Sequence, residues 1–484
     1  MKMGRSLGLA LAGCGLLAVA PVARADEDPS LQDRIRDLEK TVLELKDQLG
    51  KQQAAEPLSV QVERYLQESE KGSLWTDMNG KPLGKAIDSA WIRMKLRFRP
   101  MWSKNLFDFT DGVDDEGFMT LFRHKLGVGA RLHENLSCYL ELDMDGTWGN
   151  ESSVSGNDSG FTVTPRMQQG YIDGLAAKWI GGGVKTRLGR WEMEYGDGYH
   201  IGDRDFTQGG LAFDGARISK NWEGSSFSAD FIGAKLVDGY KNGTRASPDD
   251  SIYMFAIYGN YYGFEGKTGM PGGFEPYYTL VKDQADSPGF LPGSFNTHDI
   301  HTLGAYWYGD KATKDKSGFG WNINLNGQYN ADLFWSTDTR LMYTMSTSKW
   351  SPKIFGQFAY AAGDGDMPGG AGYNPLWQDG HARFGYSDLF GFTNLMVFGI
   401  GCHVMPTQGL TYGVEFRSDH IARTYAGGGQ GKNLAWETDL VVKHKYSENV
   451  DIEAAYALVH WRDTLNTGGA DDVHIAYFNV VLSF

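Results

Sequence analysis

The chain has 484 residues, of which 41% are hydrophobic and 22% charged, and its formal net charge is −14 at pH 7. This acidic surplus excludes a nucleic-acid binder as the default interpretation, and a content of only 15 prolines argues against a disordered chain. The mean hydropathy of −0.39 is typical of a soluble protein. It is equally compatible with a membrane β-barrel, because only alternate residues of each strand must face lipid.

Residues 1–25 have the pattern of a secretory signal peptide. Lys2 and Arg5 form a basic start, an apolar stretch follows, and an A-x-A motif predicts cleavage after Ala25. Cys14 ends a lipobox-like tetrapeptide, so a lipidated N-terminus at that cysteine is the alternative. Beyond these residues no apolar run is long enough for a transmembrane helix.

Residues 26–56 are predicted to form a periplasmic α-helical coiled coil, and residues 57–87 a linker with a short helix. Within 28–50, apolar residues recur at alternating spacings of four and three, with charged residues between them. This heptad pattern favours a parallel dimer and hence a homo-oligomer through 28–50, with a trimer as an alternative because barrels commonly assemble as trimers. A lone amphipathic helix lying on the barrel is the alternative. The heptad residues are Leu31, Ile35, Leu38, Val42, Leu45 and Leu49.

Segments in which apolar and polar residues alternate recur from residue 88 to the end, which predicts an all-β domain over 88–484. The last strand is the clearest, with apolar residues at every second position before the terminal Phe484. Such a closing strand predicts a transmembrane antiparallel β-barrel. We count eighteen strands, with sixteen as the alternative. They lie near residues 89–102, 119–133, 136–147, 166–177, 183–193, 209–221, 226–238, 251–263, 273–284, 299–309, 318–330, 338–348, 352–362, 394–405, 409–420, 433–445, 449–461 and 473–484.

The lengths of the connections support the strand count. Connections after odd-numbered strands are predicted to be long, the longest being residues 363–393. Those after even-numbered strands are short, as at His133–Leu136 and Trp350–Pro352. Long external loops and short periplasmic turns are typical of outer-membrane barrels.

The charged residues of the strands predict the lining of a pore. The first strand alternates apolar residues with four cations, Arg93, Lys95, Arg97 and Arg99. A charge that faces lipid at the midplane costs about 2–4 kcal/mol, so the row is expected to face the lumen. Opposed basic and acidic walls would orient polar solutes; alternatively, these charges pair with one another and fill the lumen. Further pore-lining candidates are Arg123, Lys125, Arg131, Lys185 and Arg187 on the basic side, and Glu415, Arg417, Asp419, Glu437 and Asp439 on the mainly acidic side.

Two stretches go beyond general barrel patterning. The first contains RLGRWEMEYGD at 187–197, GDRDFTQ at 202–208 and FDGAR at 213–217, and the second contains AAGDGD at 361–366 and GYSDLFGFTN at 385–394. With these motifs the segment 88–484 resembles the alginate-export family of outer-membrane barrels. The matching positions are Arg190, Tyr195, Asp197, Arg217, Asp364, His381, Asp388 and Asn394.

The resemblance implies an eighteen-stranded barrel in the bacterial outer membrane. It also implies export of an anionic uronate polymer through an arginine-lined constriction, which adds Arg190 and Arg217 to the pore-lining candidates. Two features depart from the family pattern. Trp191 stands where the family prefers Gln, and the type member has no N-terminal coiled coil.

The 363–393 loop carries the second motif and is too long for a simple turn. It is expected either to fold inward as a plug or gate, or to lie over the mouth of the barrel. Asp364, Asp366 and Asp379 would offer Ca²⁺ the hard oxygen ligands it prefers. Because Asp-Gly-Asp is also common in turns, no metal site is predicted.

No catalytic arrangement, phosphate-binding loop, zinc spacing or haem motif is recognisable, so neither an enzyme activity nor a cofactor is predicted. Cys138 and Cys402 are expected to be unbridged. The predicted function is an outer-membrane channel for polar or anionic solutes, or for export of an anionic polysaccharide. The expected partners are outer-membrane lipid and that solute. A plugged structural or adhesive barrel, tethered through its coiled coil, is the alternative.

Overall fold

The computed structural model shows a closed β-barrel. No helix in the part of the chain that it describes is long and apolar enough to cross a bilayer. The predicted signal peptide, the lipidation alternative, the coiled coil and the linker lie outside the described residues and stay predictions. The structure describes residues 89–106, 116–133, 136–148, 164–174, 184–222, 224–237, 240–241, 244–245, 252–263, 272–283, 299–330, 332–363, 372–422, 433–462 and 471–484.

Twenty strands lie in this described part, and eighteen of them form one sheet. The two short strands β8 and β9 pair only with each other. The strands are β1 (Ser89–Lys104), β2 (Gly117–His133), β3 (Leu136–Trp148), β4 (Thr164–Asp173), β5 (Val184–Trp191), β6 (Phe213–Asn221), β7 (Phe227–Val237), β8 (Tyr240–Lys241), β9 (Thr244–Arg245), β10 (Ile252–Tyr261), β11 (Gly273–Asp283), β12 (Ile300–Asp310), β13 (Gly318–Asn330), β14 (Asp332–Thr344), β15 (Lys353–Ala361), β16 (Leu395–Thr407), β17 (Leu410–Ile421), β18 (Asn433–Lys445), β19 (Val450–Trp461) and β20 (Val473–Ser483).

The large sheet is an antiparallel meander that closes on itself. Each strand pairs with the next along the chain, β7 pairs with β10, and β20 pairs with β1, where Phe98 lies opposite Val480. Closure leaves the large sheet without a free edge, whose backbone N–H and C=O groups could form no hydrogen bonds with lipid. The prediction of an eighteen-stranded antiparallel barrel is confirmed, and the alternative of sixteen is wrong.

The two faces of the strands differ as the alternation predicts. In β1 the side chains of Ile92, Met94 and Phe98 are exposed on the outer face. Arg97 and Arg99, on the opposite face, are only 4% and 3% exposed. Apolar residues meet lipid on one side while polar residues lie inside, which is the arrangement of an outer-membrane barrel. Cys138 and Cys402 are both free, as expected.

The two ends of the barrel differ in the lengths of their connections. One end, here called the short-turn end, has connections such as 134–135 and 408–409. The other, the long-loop end, has connections such as 192–212 and 362–394. This confirms the predicted asymmetry, and long loops are the external ones in outer-membrane barrels.

One connection at the long-loop end is a tight turn. A single residue separates β13 from β14, with Asn330 paired to Asp332, so the strand predicted at 338–348 begins six residues earlier. The expectation of a loop before residue 338 was wrong because polar residues such as Ser336 resemble a loop. In the structure Ser336 is buried in the interior, as is Asp338 of the predicted strand, while Leu333 and Trp335 are exposed on the outer face.

Candidate functional site

Two loops from the long-loop end fold into the barrel. Inner loop 1 is residues 192–212, between β5 and β6, and inner loop 2 is residues 362–394, between β15 and β16, of which 364–371 are not described. Inner loop 1 reaches distant parts of the wall. The Tyr199 hydroxyl lies 2.9 Å from Ser336 Oγ of β14, and His200 Nε2 lies 2.8 Å from Thr279 Oγ1 of β11.

The two inner loops pair with each other through their backbones. The Gly202 amide donates to the Trp377 carbonyl at 3.0 Å, and the Asp379 amide donates to the Gly198 carbonyl at 2.9 Å. A Cβ at position 202 would lie 2.9 Å from Asp379 Cβ, so only glycine allows this approach. Of the two expectations for the 363–393 loop, inward folding is therefore the one that its described residues adopt.

Arg383 of inner loop 2 ties both loops to the wall. Its Nη1 lies 3.0 Å from Asp197 Oδ2 of inner loop 1 and 2.8 Å from Asp338 Oδ2 of β14. Its Nη2 also donates to the Asp197 carbonyl. The arginine and Asp338 are buried, which makes this a charged cluster at which two loops and one strand meet.

One carboxylate of inner loop 1 forms ion pairs with the basic row, which consists of Arg93, Lys95, Arg97 and Arg99 of β1 with Arg123 and Lys125 of β2. Asp205 lies 2.6 Å from Lys95 Nζ, 3.0 Å from Lys125 Nζ and 3.3 Å from Arg123 Nη1. Burial alone raises the pKa of Asp205, but the two lysines outweigh it and hold this pKa below its usual value. The basic row therefore anchors a loop as well as facing the interior.

Arg97 and Arg99 differ from their basic neighbours because their hydrogen bonds go to neutral oxygens. Arg97 donates to the carbonyls of Asp205 and Thr207 and to the amide oxygen of Gln208. Arg99 donates to the Phe206 carbonyl at 2.8 Å. The Nε atoms of both arginines have no hydrogen-bond partner. Within the described residues neither arginine has a salt bridge, so their charges are not neutralised by a contacting carboxylate.

The remaining basic residues that were predicted to line the pore differ in their exposure and in their contacts. Arg93 is exposed, with its guanidinium 5.8 Å from the Tyr139 ring centroid, and Arg131 and Lys185 are exposed towards the short-turn ends of their strands. Arg187 forms a 2.8 Å salt bridge with Asp173. All four share the strand parity of the interior, as does Arg217.

Arg190 is a correction to the predicted pore lining. It has the same parity in β5 as Leu188, which is 44% exposed on the outer face. Its guanidinium lies 2.7 Å from Asp214, which is opposite it in β6, and both side chains are largely exposed. The family motif suggested a pore position, but strand alternation places the residue outside the barrel.

The predicted acidic wall is buried and paired internally. Arg417, 1% exposed, forms salt bridges with Glu415 and Asp439. Glu437 accepts hydrogen bonds from the amide and hydroxyl of Ser387 in inner loop 2 at 3.0 and 2.7 Å. Both carboxylate oxygens of Asp419 lack a hydrogen-bond partner.

The expectation that basic and acidic walls face each other across an open lumen is therefore wrong. The inner loops lie between the two walls. Asp205 of inner loop 1 contacts the basic wall, and Ser387 of inner loop 2 contacts the acidic wall. The alternative, that the charges pair and fill the lumen, describes most of these contacts. Among the buried charges of the two walls, Arg97, Arg99 and Asp419 are exceptions.

A cavity of about 750 Å³ opens beside the basic row. It extends from residues at the short-turn end, such as Phe484, along β1 to Phe206 of inner loop 1. Cations of β1 and β2 line one part of it, and inner loop 1 contributes carboxylates such as Glu194 and Asp203. A polar solute in this space would meet both signs of charge.

The second family motif forms a hydrogen-bonded cluster. His381 Nδ1 lies 2.7 Å from Asp388, and its Nε2 lies 3.1 Å from the hydroxyl of Tyr477 in β20. Burial alone lowers the pKa of His381, but the neighbouring carboxylates of Asp388 and Glu453 raise this pKa above the usual value. Asn394, at the base of inner loop 2, adopts a φ of 51°. Asp364 and Asp366, and with them the calcium alternative, lie outside the described residues.

Sequence reasoning missed the residues that hold the inner loops in place. They include Asp205 and Phe206, in the GDRDFTQ segment of the first motif stretch, to which the sequence assigned no role, and Arg383, which lies inside the second motif region. The signal that could have found them is the concentration of charge in a glycine-rich loop. Their partners lie 45 to 186 positions away along the chain in contacts such as Arg383 with Asp338 and with Asp197, so spacing alone does not reveal them.

Comparison with solved structures shows the same fold at low sequence identity. OccK9 (OpdG) of Pseudomonas aeruginosa superposes with a TM-score of 0.54 at 14% identity, covering 82% of this chain and 99% of that chain. OccAB2 of Acinetobacter baumannii gives 0.55 at 13%, covering 83% and 99%. OccK2 (OpdF) of Pseudomonas aeruginosa, solved in complex with glucuronate, gives 0.53 at 9%, covering 82% and 97%.

No curated protein matches the chain. The family model described as alginate export matches residues 164–478, well over half of the sequence. The match spans β4 to β20 and includes both inner loops. Together with the closed barrel, it places the protein in the bacterial outer membrane. The chain belongs to the alginate export family.

Proposed function

We propose that the protein is a channel that carries polar, anionic solutes across the outer membrane. The observation that carries this proposal is the pair Arg97 and Arg99 on the wall of the 750 Å³ cavity. Both guanidiniums are buried, and their hydrogen bonds go to neutral oxygens. Because the cavity is also lined by carboxylates such as Glu194 and Asp203, the expected anion preference rests on these two arginines, which have no carboxylate in contact, and not on the net charge of the cavity.

The comparisons support this class of solute. One of the similar barrels was solved with glucuronate, an anionic sugar, and the family model is described as alginate export. A small sugar acid and an anionic polysaccharide share carboxylates and hydroxyls. We infer that either would use the β1 row, and that a polymer would also need the inner loops to move because they occupy the interior.

The second candidate is a plugged structural barrel. The observation that favours it is the position of the inner loops, which pair with each other inside the wall and hold ion pairs with it. A barrel closed in this way would carry no current at rest. The two functions therefore differ in a measurable property.

The test is single-channel conductance, with the reversal potential in a salt gradient, on the refolded mature protein in a planar bilayer. We expect discrete current steps with an anion preference that falls when Arg97→Gln and Arg99→Gln are combined. Arg190→Gln is the matched control, since it removes the same kind of charge from the outer face. A folded barrel that passes no current would favour the structural function. An anion preference that both variants leave unchanged would show that Arg97 and Arg99 do not select the solute.

A further inference from the structure

We propose that the ring of Phe206 is the barrier between two cavities of the barrel and sets the largest solute that the channel passes. This inference rests on the proposed channel function and assigns its size limit to one side chain. A second cavity of about 370 Å³ lies between the inner loops, lined by residues such as Arg204, His381 and Phe390. It shares two lining residues with the 750 Å³ cavity, namely Phe206 and Asp379.

The two cavities form successive parts of one route. The larger cavity begins near Phe484, at the short-turn end, and follows the basic row of β1 towards the long-loop end. The smaller one is lined only by residues of the two inner loops, which come from the long-loop end. On this route, a solute moves from one cavity to the other past Phe206 and Asp379.

Phe206 closes this passage as the middle layer of a stack. On one face the Arg99 guanidinium lies 3.5 Å from the ring centroid. On the other face the His381 ring is stacked with its plane only 4° away from that of Phe206. A cation over the face of an aromatic ring is attracted to it, and stacked rings also attract each other. The ring is thus held across the passage by one residue of the wall and one of the opposite loop.

The contacts of the two shared residues indicate which of them can move. Asp379 is fixed by its backbone, whose amide donates to the Gly198 carbonyl, and its Cβ packs closely against Gly202. The Phe206 carbonyl is likewise held by Arg99 at 2.8 Å, whereas its side chain is held by packing alone, against the Arg99 guanidinium, the His381 ring and the buried hydrophobic cluster next to them. A change of rotamer at Phe206 would join the cavities without moving either loop.

The stack also couples the barrier to inner loop 2. His381 keeps its ring plane through hydrogen bonds to Asp388 and Tyr477, and Tyr477 donates to Glu453 of β19 at 2.6 Å. The basic row guides an anion to Arg99, which is the residue that contacts the Phe206 ring. A carboxylate that binds Arg99 would compete with the ring for the same guanidinium. Arrival of the solute would thereby release the barrier.

The test compares Phe206→Ala with Phe255→Ala in single-channel recordings, using neutral polyethylene glycols of increasing size to measure the exclusion limit. Phe255 is exposed on the outer face of β10 and is the matched control. We expect a several-fold rise in conductance and a larger exclusion limit for Phe206→Ala, with Phe255→Ala close to the unmodified protein. Heat-modifiable mobility in gels verifies that each barrel has folded.

The outcomes separate this inference from the proposed function. If the unmodified protein conducts and Phe206→Ala has the same conductance and exclusion limit, the barrier lies elsewhere while the channel function stands. If neither folded protein conducts, both proposals fail. Should Phe206→Ala not fold, Phe206→Leu keeps an apolar side chain without the planar ring, and its exclusion limit is expected to rise by a smaller amount. An unchanged limit in that variant would also overturn the inference.

Discussion

At the scale of single residues, Asp205 controls the contact between inner loop 1 and the wall. Its carboxylate forms ion pairs with Lys95, Lys125 and Arg123, and the Asp205 side chain is 27% exposed. A carboxylate whose pKa is lowered in the folded state stabilises that state above the unfolded pKa, and the contribution is lost as the pH falls through the folded pKa. The three cations should therefore hold the loop at neutral and mildly acidic pH and release it only in strong acid.

The first prediction at this scale concerns Asp205→Asn. The variant removes a partly buried carboxylate from three cations, of which Arg123 keeps its bridge to Asp143 and Lys125 its bridge to Glu192. We therefore expect the free energy of unfolding to fall by about 2 kcal/mol, between the values for exposed and fully buried pairs. Asp214→Asn is the control, because Asp214 and Arg190 form an exposed pair on the outer face that should contribute at most about 1 kcal/mol. Urea unfolding of the barrel in lipid vesicles measures both. Equal losses in the two variants would contradict an anchoring role for Asp205.

At the scale of elements, the inner loops and the wall are joined at Arg383. Its guanidinium contacts Asp197 and Asp338, which belong to a loop and a strand far apart in the sequence. The carbonyl of Arg383 also accepts hydrogen bonds from Arg340 and Gln357 of neighbouring strands. A change at this one residue should therefore affect both loops and leave the strand pairing intact.

We expect Arg383→Gln to weaken the docking of both inner loops by about 3–5 kcal/mol, because two carboxylates lose their buried counter-ion. Freed loops would fluctuate in the lumen, so the open-channel current noise should increase while the barrel still shows heat-modifiable mobility. Arg190→Gln again removes an arginine without touching the loops. Noise that stays at the level of the unmodified protein would show that backbone pairing at Gly202 and Asp379 suffices to hold the loops.

The strands and the inner loops differ in how far the sequence predicts them. Alternation of apolar and polar residues predicts all eighteen barrel strands, because each strand needs one lipid-facing side. It fails at 331–337, where interior polar residues such as Ser336 resemble a loop. The inner loops show no regular alternation of apolar and polar residues from which their path could be predicted. That path depends on contacts such as Asp197 with Arg383, 186 positions apart. The row of β1 was predictable by parity, whereas its partner Asp205 was not.

At the scale of the whole molecule, the barrel is complete within one chain. The first and last strands close it, and the backbones of Met94 and Phe484 exchange hydrogen bonds at 3.2 and 2.9 Å. No partner subunit is needed to satisfy a sheet edge. Assembly, if driven by the heptads of residues 28–50, is therefore separable from folding of the barrel.

This separation allows a test of the predicted homo-oligomer. With β-branched residues at Ile35 and Val42 and leucines at the facing positions, the heptads favour a dimer. We expect the detergent-solubilised mature protein to have the mass of a dimer by light scattering, and a variant lacking residues 28–50 to have that of a monomer with an intact barrel. Leu38→Ser with Leu45→Ser should act like the deletion, because both leucines lie in the heptad core. Lys40→Ser with Glu44→Ser, outside the core, should not. A single mass for every variant would mean that this segment does not drive self-association, and a tether to another envelope component would become the better explanation of the heptads.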